Sequence, residues 1–341
     1  MNFYFSNREI LLKIRIFIWG VILILFFQSI LPIISSSGSF SKNIIYVDDN
    51  NKYGPWDGSQ VHPFKNINDG VNVASNGDTV FVYNGTYLDY EVHIRKSINL
   101  KGEDKTNTII EEGQIIFMTS TSSSISGFNI RYCTIISENQ DYVEIYNNNI
   151  TGGIVVVNTI ESYIHHNIIN GVEGAEPAIK LSDGCCNIVE YNVINNNYEG
   201  GIAVFGNGNI ISNNTIVNNI GESGYGIRLD GNNNKIKDNH IANNVFGIKL
   251  DYAYGNIIER NNFIDNVIHV YLFGTFDTIG KTKNLWDYNF WDRPKIYPKF
   301  LLGLDIIPMP GAGDLIFWIP ILIIQVDWHP RLIPYDIPNS N

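Results

Sequence analysis

The chain has 341 residues, of which 44% are hydrophobic and 17% are charged, and its formal net charge is −11. The hydrophobic content is enough for one large core or two small ones. A nucleic-acid partner is excluded, because affinity for nucleic acid depends on neutralising phosphates with Lys and Arg side chains.

The first 40 residues have the layout of an export signal. Residues 16–34 are almost entirely apolar, follow Lys13 and Arg15, and precede the small polar run 35–39. This order is typical of a cleaved secretory signal peptide. The apolar run is also long enough to remain as a membrane anchor. Both alternatives predict an extracellular or cell-surface location, with membrane contact only through this segment.

Residues 44–126 predict an N-terminal cap and the first coils of a larger stack. Residues 44–47 and 79–83 have strand composition. Between them, apolar residues recur at helical spacing over residues 64–75, which predicts a short helix. Such a helix would cover the open end of the stack, since an exposed sheet end is an aggregation hazard.

A repeat between residues 142 and 274 decides the fold class. Its strand-like elements are short, with apolar residues alternating with Asn or Gly. Stacking such coils pairs each strand in parallel with its copy above and below. The prediction is therefore an all-β, right-handed parallel β-helix, with repeat coils over residues 127–283 and an irregular aromatic and proline-rich cap over residues 284–341. In each repeat an Asn precedes an apolar residue by two positions, at Asn148, Asn167, Asn192, Asn214, Asn239 and Asn261.

These asparagines are predicted to be structural. At a sharp corner, a buried Asn can bond the backbone of the next coil, and its repetition would build an internal ladder. The three cysteines, Cys133, Cys185 and Cys186, fit neither a disulfide framework nor a zinc site. They are predicted to pack as small apolar residues, since a bond between adjacent cysteines would strain the backbone.

Several short motifs precede the Asn-x-Ile and Gly-Ile-x-Leu repeats, namely Tyr46–Asp49, Trp56–Gly58, Gly77–Val80, Gly85–Tyr87 and Ser97–Gly102. Together with the repeats, these motifs resemble pectate-lyase-like β-helix proteins. The repeats also resemble NosD-type proteins and the domain named for carbohydrate-binding proteins and sugar hydrolases. The resemblance covers residues 44–290, and it implies the fold more strongly than a function.

The catalytic motifs of the resembled enzymes find no match. Polygalacturonases and pectin methylesterases carry paired Asp motifs, and the only adjacent Asp pair here is Asp48-Asp49 in the first strand region. NosD is associated with copper-site maturation, but the histidines at 165–166, 240 and 269 occupy different repeat positions. No cofactor is predicted, and calcium stays open as an alternative that no residue pattern supports.

If a ligand binds, the predicted place is the outer face of the Gly-Ile-x-Leu strands. Stacking brings outward residues of successive coils into columns, where rings can stack on sugars and Lys or Arg can pair with carboxylates. The alternative is a set of solvated ion pairs without function. The first predicted column is Lys180, Ala203, Arg228, Lys249 and Tyr271, and the second is Ser182, Phe205, Asp230, Asp251 and Phe273.

The leading hypothesis is an exported, cell-surface β-helix protein that binds a polysaccharide or serves a structural role without catalysis. One alternative is a polysaccharide lyase or hydrolase that acts on an acidic glycan. A further alternative is a NosD-like accessory factor for an exported metalloenzyme. An acidic glycan is expected to bind along the line of Arg228, Lys249 and Tyr271.

Overall fold

The computed structural model describes residues 42–118, 122–274, 283–292, 299–310, 316–327 and 329–337. The predicted export segment lies outside these residues. No helix within the described part of the chain is long and apolar enough to cross a membrane.

Strands from successive coils form three parallel sheets that run the length of the stack, which confirms the predicted β-helix. Sheet 1 pairs its strands in parallel from the first coil to the last. Its strands, numbered in chain order through the whole molecule, are Ile44–Val47 (β1), Thr79–Val82 (β2), Asn99–Gly102 (β5), Ser124–Ser126 (β7), Glu144–Tyr146 (β9), Tyr163–His165 (β12), Ile188–Glu190 (β15), Ile210–Ser212 (β18), Lys235–Lys237 (β21), Ile257–Glu259 (β24) and Leu285–Asp287 (β27).

Sheet 2 follows sheet 1 in each coil, and its strands are also parallel. Two of them are long enough to continue into the third sheet. Its strands are Gly85–Tyr87 (β3), Thr108–Phe117 (β6), Asn129–Glu138 (β8), Asn149–Ile150 (β10), Ile168–Asn170 (β13), Val193–Asn195 (β16), Thr215–Val217 (β19), His240–Ala242 (β22), Asn262–Ile264 (β25) and Phe290–Trp291 (β28).

Sheet 3 contains the Gly-Ile-x-Leu elements and completes each coil. The second halves of β6 and β8 belong to it. Its other strands are Glu91–Ile94 (β4), Ile154–Val157 (β11), Ile179–Ser182 (β14), Gly200–Val204 (β17), Tyr225–Leu229 (β20), Phe246–Asp251 (β23) and Ile268–Phe273 (β26).

The core lies between the three sheets. Alternate strand residues point inward, so each sheet gives the interior a column of aliphatic side chains. Sheet 2, for example, contributes Ile169, Ile194, Ile216 and Ile241 from four consecutive coils, all fully buried. Because no coil can bury these residues alone, stacking provides the stability of the fold.

The two ends of the stack are closed differently. One helix, Ile67–Val73 (α1), buries Ile67 and Val71 at the first coils, and the Asp89 carboxylate accepts a hydrogen bond from the Ile67 backbone N–H at 3.0 Å. The helix is shorter than the predicted 64–75. At the other end, Lys299–Pro310 (β29) and Ile316–Asp327 (β30) form an antiparallel pair where an irregular cap was predicted. A two-stranded ribbon tolerates prolines because each strand keeps an edge that needs no N–H donor.

Candidate functional site

A column of buried asparagines lies at the corner between sheets 1 and 2. From Asn167 onward, each side-chain oxygen accepts hydrogen bonds from the backbone N–H and the side-chain amide of the Asn one coil earlier, at 3.0–3.1 Å. The Asn148 oxygen accepts the backbone N–H of Phe128 at 3.1 Å. The residue before each of these asparagines has a φ of 53–56°, which turns the chain sharply. These amides satisfy the polar groups of the corner and are therefore not available to a ligand. The column contains the six predicted members, Asn148, Asn167, Asn192, Asn214, Asn239 and Asn261, and continues to Asn289 and Asp327.

Two further asparagine columns were not predicted. They lie five residues before and five residues after the first column, at the other two corners of the coil, and they bond in the same way. A search for Asn at five-residue spacing would have found them. Their members are Asn187, Asn209, Asn234, Asn256 and Asn284 in one column, and Asn197, Asn219, Asn244 and Asn266 in the other.

The outer face of sheet 3, here called the charged face, carries the predicted binding residues in register. The first column pairs through five consecutive strands, β14, β17, β20, β23 and β26. Ala203 is only 1% exposed, so its side chain is not accessible to a ligand, whereas Tyr271 is 37% exposed. In the second column Ser182, Phe205 and the residues at 230, 251 and 273 are half-buried.

The cations of the charged face are paired with carboxylates. Arg228 donates two hydrogen bonds to Asp230, at 3.0 and 2.8 Å, and its Nε lies 3.3 Å from Asp251. Lys249 Nζ lies 3.4 Å from Asp251, and Lys180 Nζ lies 3.0 Å from Glu176. Burial raises the pKa of Asp230 above its usual value, although Arg228 opposes this shift. Each of these cations is therefore already engaged by a neighbouring carboxylate.

Aromatic rings lie against the paired cations. The Arg228 guanidinium lies 5.4 Å from the Phe205 ring centroid, and Lys249 Nζ lies 5.8 Å from that of Tyr271. Both distances are within cation–π range. Tyr252 and Phe273 pack edge to face with their centroids 5.5 Å apart. The charged face is therefore a platform of rings and hydrogen-bonding groups.

A second group, here called the acid–base cluster, lies on the outer face of sheet 1 and comprises Glu144, Tyr163, His165, His166 and Glu190. The Tyr163 hydroxyl donates a short hydrogen bond to Glu190. His165 Nε2 lies 3.1 Å from a Glu144 carboxylate oxygen. The rings of Tyr163 and His165 are stacked with centroids 3.9 Å apart. Ionisable groups from three coils thus meet at one place.

The environment separates the proton affinities of two members of this cluster. Burial, and then the charge of His165, lowers the pKa of His166. Burial, and then the hydrogen bond to Glu190, raises the pKa of Tyr163 above its usual range. At neutral pH His166 is therefore a neutral base and Tyr163 a protonated acid. Four members of the cluster stand two or four residues before a column Asn, and His166 stands directly before one, so these positions were the available sequence signal.

The cysteines divide into two kinds. Cys133 is buried, as predicted for a small apolar residue. The prediction that all three pack in the stack is wrong for Cys186, which is exposed because it occupies a turn with a φ of 60°. Its sulfur lies 3.4 Å from that of half-buried Cys185, and the described cysteines are all free thiols.

Comparison with known proteins identifies the fold more firmly than an activity. Residues 71–297 match the family model NosD, described as periplasmic copper-binding protein. A search of curated proteins finds no match. One solved structure with a similar fold is a rhamnogalacturonan lyase, at 12% identity and a TM-score of 0.47 over 73% of this chain and 82% of the other. Another is the pectate lyase Pel9A, at 13% identity and a TM-score of 0.44 over 73% of this chain and 75% of the other. ORF18 of Geobacillus virus E2 is also similar, at 12% identity and a TM-score of 0.47 over 80% of this chain and 63% of the other. At such identities the likeness is one of fold alone.

Copper is the metal that this family description implies, and the described residues do not fit it. No group of three or more His, Cys, Asp or Glu in the described ranges is placed to hold a metal ion. The Nδ1 atoms of His165 and His166 are 2.8 Å apart and their ring centroids 5.0 Å apart. The two nitrogens therefore point nearly at each other, as in an N–H···N hydrogen bond, rather than toward a shared third position. His240 and His269 lie on other sheets.

Proposed function

We propose that this chain, which belongs to the NosD family, is an exported parallel β-helix protein that binds a glycan along the charged face without catalysing a reaction. The family description supports a location outside the cytoplasm, as do the apolar residues 16–34. A polysaccharide is the proposed partner.

One observation carries this proposal: Arg228, Lys249 and Tyr271 stand in register on three adjacent strands. Parallel strands are about 4.8 Å apart, so the three side chains form a line roughly 10 Å long. A polymer that lies along the stack axis can contact each of them in turn. Rings supply stacking surfaces, and the carboxylates of Asp230 and Asp251 supply acceptors for hydroxyl groups.

The same contacts argue against catalysis on this face. A general acid or base must hold or release a proton at the reacting atom. Asp230 and Asp251 are both engaged by cations, with Arg228 contacting both. Moving a proton to either carboxylate would break a pair that orders the face.

A glycan array with the full-length protein, purified from the exported fraction, tests the proposal. The variant Arg228→Ala/Lys249→Ala/Tyr271→Ala should lose at least tenfold in affinity for any glycan that binds, because ring and hydrogen-bond contacts are lost together.

The matched control replaces an Arg, a Lys and a Tyr on other surfaces, as Arg260→Ala/Lys235→Ala/Tyr90→Ala, and should bind as the wild type does. Circular dichroism checks that both variants fold. Equal glycan affinity in the charged-face variant and the control would reject the site.

The acid–base cluster favours a second candidate function, cleavage of a glycan by proton transfer. In an elimination on an acidic glycan, His166 would take the proton from the carbon beside the sugar carboxylate while Tyr163 gives its proton to the departing oxygen, so that the C–O bond breaks and a C=C bond forms. General acid–base groups of this kind contribute roughly 10²–10⁴-fold to rate. Tyr163→Phe should then reduce product formation by that order while glycan affinity stays unchanged. If the wild-type protein releases no unsaturated or reducing ends from any glycan it binds, this candidate is wrong.

A further inference from the structure

The charged face carries as many carboxylates as cations. Lys180 has Glu176 at 3.0 Å, Arg228 has Asp230 at 2.8 Å, and Lys249 has Asp251 at 3.4 Å. Three positive and three negative charges cancel. A carboxylated polymer would have to displace a carboxylate of the protein at each contact.

The charge of the whole chain acts in the same direction. With a net charge of −11, the protein repels polyanions at long range. A ligand without charge meets no such barrier. It can use rings and carboxylates together, since carboxylates are strong acceptors for hydroxyl donors.

A groove lies at the corner between sheets 2 and 3, where the chain enters β17 and β20. It has a volume of about 490 Å³. Tyr198, 54% exposed, and Ile220, 71% exposed, give it an apolar wall. Asn196 and Asn218 add exposed amide side chains. Of the described residues that line the groove, Glu173 alone is charged.

An apolar wall, neutral amides and one carboxylate form a suitable site for a ring with an apolar face and hydroxyl edges. Ligand sites commonly combine apolar walls with a few polar groups that fix orientation. Neither the groove nor the face offers an unpaired cation among the contacts described above. The chemistry of the groove therefore agrees with the chemistry of the face.

We infer that the ligand is a neutral, hydroxyl-rich glycan that lies along the charged face with one end in the groove walled by Tyr198 and Ile220. The inference rests on the proposed function. It reverses the expectation of an acidic ligand, because the cations that suggested one are held by neighbouring carboxylates.

Polymer pairs that differ only in oxidation of the sugar C6 test the ligand class. Suitable pairs are β-1,4-mannan with polymannuronate and soluble β-1,4-glucan oligomers with their C6-oxidised glucuronan counterparts, with affinities measured by calorimetry on the full-length protein. The neutral member of at least one pair should bind at least tenfold more tightly than its acidic partner. Its affinity should also change little with salt, because no charge is neutralised.

Charge variants separate this explanation from simple shape selection. Asp230→Asn/Asp251→Asn frees the cations and should raise affinity for the acidic member of the pair. The control Asp238→Asn removes a carboxylate paired with Arg260 on another face and should leave both affinities unchanged. Tyr198→Ala should weaken neutral binding at least threefold, whereas Tyr53→Ala, at an 84% exposed tyrosine elsewhere, should not.

The outcomes are distinguishable. Equal or tighter binding of the acidic polymer by the wild type overturns the inference and leaves the proposed function standing. Unchanged binding in Tyr198→Ala overturns the role of the groove. Binding to neither member of any pair, in a folded protein, overturns the proposed function and with it this inference.

Discussion

Replacing Asn214 by Leu tests whether the asparagine column stabilises the fold. Asn214 is fully buried, and its amide donates to the backbone oxygens of Val189 and Ser212 and to the side chain of Asn239, at 2.9–3.0 Å. Its oxygen accepts both the backbone and side-chain N–H of Asn192 at 3.0 Å. Leu supplies none of these groups, so the Asn192 backbone N–H is left buried without its acceptor.

The magnitude follows from that orphaned donor. A buried N–H without a partner costs roughly 1–3 kcal/mol. The carbonyls of Val189 and Ser212 lose one contact each, while the apolar Leu side chain offsets part of the loss by its own burial. The free energy of unfolding should therefore fall by about 1–3 kcal/mol.

Denaturant unfolding followed by circular dichroism measures this change, and hydrogen exchange at the Asn192 amide locates it. The control is Asn170→Leu, at an exposed strand position, which should change stability by less than about 0.5 kcal/mol. Equal unfolding midpoints for the two variants, with an equally protected Asn192 amide, would refute the structural role of the column.

Two other predictions concern ionisable groups. Burial raises the pKa of the Cys133 thiol to about 12. A thiol-alkylating reagent should therefore modify Cys185 and Cys186 in the native protein and Cys133 only after unfolding, and mass spectrometry can count the modified residues. Modification of Cys133 in the native protein would contradict its burial. Burial raises the pKa of Asp327, although hydrogen bonds from Trp291 and Asn289 oppose this shift. The stability that protonated Asp327 contributes is therefore fully present below the ordinary aspartate pKa, and it is lost as the pH rises through the raised pKa of the folded state. The thermal midpoint should fall more from acidic to neutral pH in the wild type than in Asp327→Asn, and parallel pH profiles would contradict this.

The interior of the fold could be predicted because it repeats. Each ladder Asn is followed two residues later by a core residue, as in Asn192 with Ile194 and Asn214 with Ile216, and both members occupy those roles in the structure. The C-terminal cap does not repeat, so its antiparallel strands could not be recognised by alignment with other coils. Prolines also removed the usual strand signal there.

The acid–base cluster was missed for a different reason. Tyr163 and Glu190 stand in different columns, as do His165 and Glu144, and each pair meets only because a side chain leans diagonally across neighbouring strands. Alignment of the repeats shows which residues of successive coils stand in one column, but it does not show that a long side chain contacts a residue of a neighbouring column. The same limit applies to the charged face, where the sequence placed Arg228 beside Asp230 but could not show that Arg228 also reaches Asp251.

The inward and outward columns of sheet 3 carry different information. Inward, Ile202, Ile227 and Ile248 repeat without change, as packing requires. Outward, the residue type changes from coil to coil, and packing does not require an exposed ring such as Tyr271. The rings that stand in register beside the ion pairs supply stacking surfaces of the kind that the proposed glycan would use. From Lys180 to Tyr271 the face crosses four strand intervals of about 4.8 Å, roughly 19 Å in all. A ligand must be extended to engage that whole length, so the proposed function calls for a polysaccharide rather than a single sugar.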